Sequence, residues 1–314
     1  MNCSIERRAF VRQAITAVGG GFLAGGHERA LASSKARNLV LVLMAGGPSQ
    51  ADTFDFEPGP WTPAAFAPLT CGGLRFPHGL MPRIADQLEW VALLRGVRAP
   101  ATSHGLAQAG LPAFRTLGMS GEESVYGERC CLLRAAHPAV ALADRARYGS
   151  SRFGDACLTA CALLRAPGGP HLVEITIGGW DNHSDIYGTA LNARDARSVA
   201  RRFDAGLGAL LADLRADGLL AQTLIVAMGE FGRIPGPLNA QGGRDHFQRH
   251  SALLAGAGIA GGRAIHLGEA EGRQTTQADE PGDAAYFFWR LKRLCQVEES
   301  RARRRENQDG GEAA

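Results

Sequence analysis

Four short stretches of the chain set carboxylates and imidazoles beside glycines. AGGPSQADTFD (45–55) holds Asp52 and Asp55, and IGGWDNHSD (177–185) holds Asp181, His183 and Asp185. GEFGR (229–233) holds Glu230 and Arg233, and GGRDHFQRH (242–250) holds Arg244, Asp245, His246 and His250. Carboxylate oxygens and neutral imidazole nitrogens are the donors that hard to borderline divalent ions take. Acids gathered without compensating cations are hard to hold together unless a metal neutralises them. Any one of these loops is as well explained by helix caps and satisfied turns; their recurrence points to a metal-binding edge. Zinc, manganese and magnesium all suit mixed carboxylate and imidazole donors, so the identity of the one or two ions stays open.

Such an edge needs a scaffold that brings four distant loops together. The runs NLVLVLM (38–44), WVALLRG (90–96), HLVEITI (171–177), TLIVAMG (223–229) and SALLAGAG (251–258) are short and apolar, and end at glycine or polar clusters. They predict buried strands of a largely parallel sheet. Between them, Val199, Phe203, Leu207, Leu210, Leu211 and Leu214 recur at three- and four-residue spacing and predict an amphipathic helix stopped by Gly218. Strands alternating with helices argue for an α/β fold, and in open α/β sheets ligands bind beyond the carboxyl ends of the strands. Three of the four polar loops follow a predicted strand directly, and the fourth stands just before one.

The chain has 314 residues, 45% hydrophobic and 21% charged, a globular composition. Its start, SIERRAFVRQAITAVGGGFLAGG, has paired arginines, a mildly apolar stretch and small residues at ALASS. That is the pattern of a twin-arginine export signal over 1–32, handled by the twin-arginine translocase. One domain is expected over 33–296 and a solvated polar tail over 297–314. The first thirty-two residues carry four arginines against two glutamates, so removing them takes the net charge from +3 to +1. A nucleic-acid partner therefore gets no electrostatic support. No run approaches the ~18 apolar residues that span a bilayer, so no stable membrane span is expected after cleavage. The expected location is periplasmic or secreted. Cys157 and Cys161, four apart in DACLTACALL, fall on one helical face and are expected as buried small hydrophobes. The glycine pattern GAGIAG (256–261) lacks a convincing helix after it and is taken as chance, and a G-x-S-x-G elbow is absent from the sequence.

Taken together and in order, LVLMAGGPSQADTFD, GGWDNH, MGEFGR and GRDHF behind a twin-arginine signal resemble the bacterial domain-of-unknown-function family 1501. That family belongs to the alkaline phosphatase and sulfatase superfamily. The resemblance runs from about Asn38 to Gly262. It implies a three-layer αβα sandwich, alkaline phosphatase-like, and a metal edge built from Asp52, Asp181, His183, Glu230 and His246. Asp245 would bind metal or orient His246. Arg233 and Arg244 would contact an anionic substrate oxygen or pair with the nearby acids. The superfamily uses a hydroxyl or a modified cysteine as nucleophile; here the matching loop, VRAPATSHGLAQAG, offers Thr102, Ser103 and His104. Ser103 is equally an expected helix cap, and His104 a metal ligand or acid–base group. The activity implied is metal-dependent hydrolysis of phosphate or sulfate esters, on a small molecule or a polysaccharide. The alternative is a non-catalytic exported protein that keeps the scaffold for assembly or surface binding.

Overall fold

The computed structural model describes residues 38–71, 73–99, 101–109, 130–133, 142–167, 172–188 and 195–266. The expected signal and tail lie outside them. The strands are β1 (Asn38–Ala45), β2 (Pro68–Cys71), β3 (Leu74–Pro77), β4 (Val91–Arg98), β5 (Cys130–Leu133), β6 (Leu172–Gly178), β7 (Thr223–Met228), β8 (Gly232–Arg233), β9 (His246–Phe247), β10 (Arg249–Gly256) and β11 (Arg263–His266). The helices are α1 (Pro82–Ala85), α2 (His104–Ala109), α3 (Leu142–Tyr148), α4 (Arg152–Arg165) and α5 (Ala196–Ala216).

All five apolar runs are strands of one seven-stranded sheet, ordered β11-β4-β10-β7-β1-β6-β5. β5, β6, β1 and β7 pair in parallel, as do β4 and β11, while β10 runs antiparallel between β7 and β4. The fold is thus α/β with a mostly parallel sheet. On β1, Val40, Val42 and Met44 join the main core, while Leu39 and Leu43 on the opposite face are also buried. Burial on both faces explains why the run is continuously apolar instead of alternating.

The helical stripe of α5 is buried in full: Val199, Phe203, Leu207, Leu210, Leu211 and Leu214 are each 0% exposed. Burying a side chain of that size contributes roughly 1.5–3 kcal/mol. Asp195 caps the helix by accepting from the Ser198 amide at 2.6 Å, and Gly218 beyond its end takes φ +69°. α4 packs beside it, with Cys157 and Cys161 both buried in the core and their thiol pKa values pushed up by burial. Phe203 meets the rings of Phe54, Phe153 and Trp180 at 6.0, 5.8 and 6.1 Å. Through Trp180, 2% exposed, the loop that begins GGWDNH is pinned to the helical core. The GAGIAG segment is a turn leading from β10 toward β11. Among the described residues, no helix is long and apolar enough to cross a membrane.

Candidate metal centre

β1, β6 and β7 are parallel neighbours, so the loops leaving their carboxyl ends open side by side. β4 points the same way, and its exit leads to Thr102–His104. Because β10 is reversed, the segment that enters it arrives at this same edge; that is how a motif lying before a strand joins motifs lying after strands. The loops touch closely. A Cβ on Gly46 would lie 2.5 Å from the Asp181 nitrogen, and one on Gly243 would lie 2.0 Å from the His183 carbonyl carbon, so glycine is required at both. Gly46 also donates its amide to both oxygens of Glu230, at 2.9 and 3.2 Å, tying the loop after β1 to the loop after β7.

Three imidazoles converge on Asp181. His104 Nδ1 lies 2.8 Å from Glu230 Oε1, His183 Nδ1 lies 3.0 Å from Asp245 Oδ1, and His246 Nδ1 lies 2.6 Å from the Thr102 carbonyl oxygen. A carbonyl or an ionised carboxylate only accepts, so each Nδ1 carries the proton and donates it. In the neutral rings each Nε2 is then left with a lone pair. Those three atoms face Asp181: His104 Nε2 is 3.4 Å from Oδ2, and His183 and His246 Nε2 are 3.1 and 3.5 Å from Oδ1. His183 Nε2 and His246 Nε2 stand 3.0 Å apart. Two lone pairs facing at that distance repel unless a cation or a proton sits between them. The ligand atoms of His104, Asp181 and His246 all lie within 4.8 Å of one another. Imidazoles oriented by oxygen acceptors around a carboxylate are the donor set of a transition-metal site, so the residues fit a divalent ion.

The electrostatics suit that role. Burial lowers the pKa of His246, against the pull of the Thr102 carbonyl, and so favours the neutral ring that ligates. Burial works against ionised Asp181, but the hydrogen bond and charge of Arg233 prevail and hold its carboxyl below the ordinary range. The hydrogen bond from His183 likewise lowers Asp245. Phe231, fully buried, supports the rings of His104 and His246 at 4.9 and 4.2 Å. With Ala99 and Ala107 it forms a small core beneath α2. Ser103 accepts the Ala107 amide through its carbonyl oxygen and so begins α2. The Thr102 and Ser103 side chains are both exposed beside His104.

Several expected residues take other positions. Asp52 is 3% exposed and lies against Arg244, accepting from Nε at 2.9 Å and Nη2 at 3.4 Å, and from the Tyr187 hydroxyl at 2.7 Å. Arg244 also donates to the carbonyls of Ile234 and Gly236. Arg233 donates to the carbonyls of Gly46, Gly47 and Arg244 and to Asp181 Oδ1. Both arginines, expected either to contact an anionic substrate oxygen or to pair with the nearby acids, are buried and take the second role, Arg233 against Asp181 and Arg244 against Asp52. Glu230 contacts His104, and Asp245 orients His183 instead of its sequence neighbour His246. Successive side chains entering the extended strand β9 point to opposite sides, which separates Asp245 from His246. His250 is buried on β10, and burial holds its pKa down to about 4.

Three supporting residues escape sequence reasoning. Gln50 clamps the Arg233 backbone, donating to its carbonyl at 2.6 Å and accepting from its amide at 2.8 Å. Asn239 donates to the His183 carbonyl at 3.1 Å and accepts from the Gly243 amide at 2.8 Å. Tyr187 serves Asp52. Gln50 lies inside a recognised motif, but an amide that grips a backbone 183 residues away has no local signature.

Residues 135–285 match a family model described as a protein of unknown function, DUF1501. The match spans 151 of the 314 residues, just under half of the chain. Asp181, His183, Glu230, Arg233, Arg244, Asp245 and His246 fall inside it, while Asp52 and Thr102–His104 precede it. No curated protein matches the chain in sequence. Among solved structures, one similar to it is a protein in the alkaline phosphatase superfamily from Vibrio parahaemolyticus, with 13% identity over 81% of this chain and 71% of that one and a TM-score of 0.41. Another is the C-terminal periplasmic domain of EcEptC from Escherichia coli in complex with Zn, with 13% identity over 70% and 73% and a TM-score of 0.36. A third is the PsFucS1 sulfatase from Pseudoalteromonas sp., with 11% identity over 92% and 71% and a TM-score of 0.38. No residue's role follows from likenesses of this degree.

Proposed function

We propose that the chain is an exported, metal-dependent hydrolase of phosphate or sulfate esters. The observation that carries this reading is the convergence of three Nε2 lone pairs on Asp181 at an open sheet edge, where the side chain of Asp181 is 47% exposed. A divalent ion held there by His104, Asp181, His183 and His246 would supply Lewis-acid polarisation of an anionic ester oxygen. Glu230, Asp245 and the Thr102 carbonyl keep the three rings in the tautomer that ligates. Arg233 keeps Asp181 ionised. A hydroxyl of Thr102 or Ser103, both exposed next to His104, would give up its proton and attack phosphorus or sulfur, releasing the alcohol of the ester, and water would then free the phosphate or sulfate from that side chain. The substrate is a small anionic ester or an esterified polysaccharide, because the edge is open to solvent. Export rests on the paired arginines and apolar stretch of residues 4–32, which the twin-arginine translocase would recognise.

The test is turnover of an aryl phosphate and an aryl sulfate by zinc-, manganese- or magnesium-reloaded protein, beside an Asp181→Ala variant with a matching circular dichroism spectrum. Turnover should fall to background in the variant. Equal turnover in both proteins, or none by the reloaded parent on either ester, overturns the reading.

A further inference from the structure

Resting on that metal site, we infer that it takes a single ion of the zinc class, and that the Arg244 guanidinium occupies the place at Asp52 where a second ion would sit. Two sets of acid and donor stand at this sheet edge, and they differ in what remains available. Around Asp181, the lone pairs of three imidazole nitrogens face a carboxylate whose Oδ1 also accepts from Arg233 at 2.5 Å while Oδ2 faces His104 Nε2. His104, Asp181 and His246 offer ligand atoms within 4.8 Å of one another, and His183 Nε2 stands 3.0 Å from that of His246, a nitrogen-rich set of the kind zinc takes. Magnesium wants near-octahedral oxygen and keeps several waters, so a nitrogen-rich set disfavours it.

Around Asp52 the lone pairs are already taken. Oδ2 accepts Arg244 Nε at 2.9 Å, and Oδ1 accepts the Tyr187 hydroxyl at 2.7 Å and Arg244 Nη2 at 3.4 Å. Asp52 is 3% and Arg244 1% exposed, so water cannot complete the coordination of an added ion or screen it from the guanidinium. The guanidinium cannot swing aside either, because Nη1 is held by the Ile234 and Gly236 carbonyls at 2.9 and 2.6 Å. The same fork blocks Arg244 from binding substrate. Arg244 therefore lends no charge to an ester, and the single ion would supply it at Asp181.

Metal stoichiometry tests this without reference to turnover. The full chain, stripped and then titrated with zinc by calorimetry, should bind one ion per chain, confirmed by plasma mass spectrometry after dialysis. Asp52→Asn should still bind one ion, with a dissociation constant within about threefold of the parent. Asp181→Asn should weaken binding at least about a hundredfold. Tyr187→Phe serves as a second, gentler change beside Asp52 and should also leave one ion. Two zinc ions per parent chain, loss of an ion in folded Asp52→Asn or Tyr187→Phe, or retention of magnesium as firmly as zinc overturns the inference while leaving a metal site in place. No ion on the parent chain overturns the site itself, and the proposed function with it.

Discussion

Asp52 and Asp181 begin alike, each an acid in a glycine-containing loop just past a buried parallel strand. Their surroundings then separate them. Asp52 is buried, and its charge is spent on a buried arginine and a tyrosine. Asp181 is half exposed; one oxygen is shared with Arg233, and both oxygens face imidazole nitrogens. An acid whose partner is a buried guanidinium becomes part of the scaffold. An acid faced by imidazole nitrogens stays available to the ion proposed at this edge. The residue type supplies the chemistry, and the depth and charge of its partners decide how it is used.

Breaking the scaffold half should give the largest effect. Arg244→Met leaves Asp52 as an uncompensated buried charge and should destabilise the protein by about 3–5 kcal/mol in urea unfolding. Adding Asp52→Leu should recover part of that loss, since it removes the buried charge but leaves the Tyr187 hydroxyl and the Ile234 and Gly236 carbonyls without their partners. His183→Ala, in the exposed half, should move the stability of the metal-free protein by less than about 0.5 kcal/mol. A destabilisation by His183→Ala as large as that by Arg244→Met would erase the distinction.

A smaller effect should separate ligands from the groups that aim them. Asp245 holds His183 through Nδ1 at 3.0 Å and is itself exposed. Asp245→Asn keeps an acceptor in place but removes its charge, so zinc should bind about tenfold more weakly, with stability unchanged. A loss as large as that in Asp181→Asn would make Asp245 a ligand in its own right.

Five strands of the central sheet were legible because burial makes their runs continuously apolar, and α5 because its buried stripe repeats every three or four residues, whereas the four-residue strands β2, β3, β5 and β11 were not read from the sequence. The direction of β10 left no trace in SALLAGAG, since an apolar run reads the same either way along a sheet. The short strands β8 and β9 were hidden for another reason: two residues are too few to show a period. At the site, the residue types and their loops could be read from local motifs. The pairings could not, because they join positions far apart, Asp52 to Arg244 across 192 residues and His104 to Glu230 across 126. Asp245 was placed beside His246 by adjacency, whereas strand geometry turns it toward His183.

The finest test of the comparison is Tyr187→Phe. Burial and the neighbouring Asp52 push the Tyr187 hydroxyl well above its ordinary pKa, so it stays a neutral donor at any pH at which the protein is handled. Removing that donor leaves Asp52 still satisfied by Arg244, so the loss should be about 1 kcal/mol, the size of one hydrogen bond. The shift should appear in the urea midpoint and should not vary between pH 6 and pH 9, because neither Tyr187 nor its neighbour Arg244 changes charge in that range. Zinc affinity should stay within about twofold, because the lost hydrogen bond serves a carboxylate that is not a ligand. Were affinity to fall more than stability does, Asp52 would be sensing the ion, and the division between scaffold acid and ligand acid would have to be redrawn along the whole sheet edge.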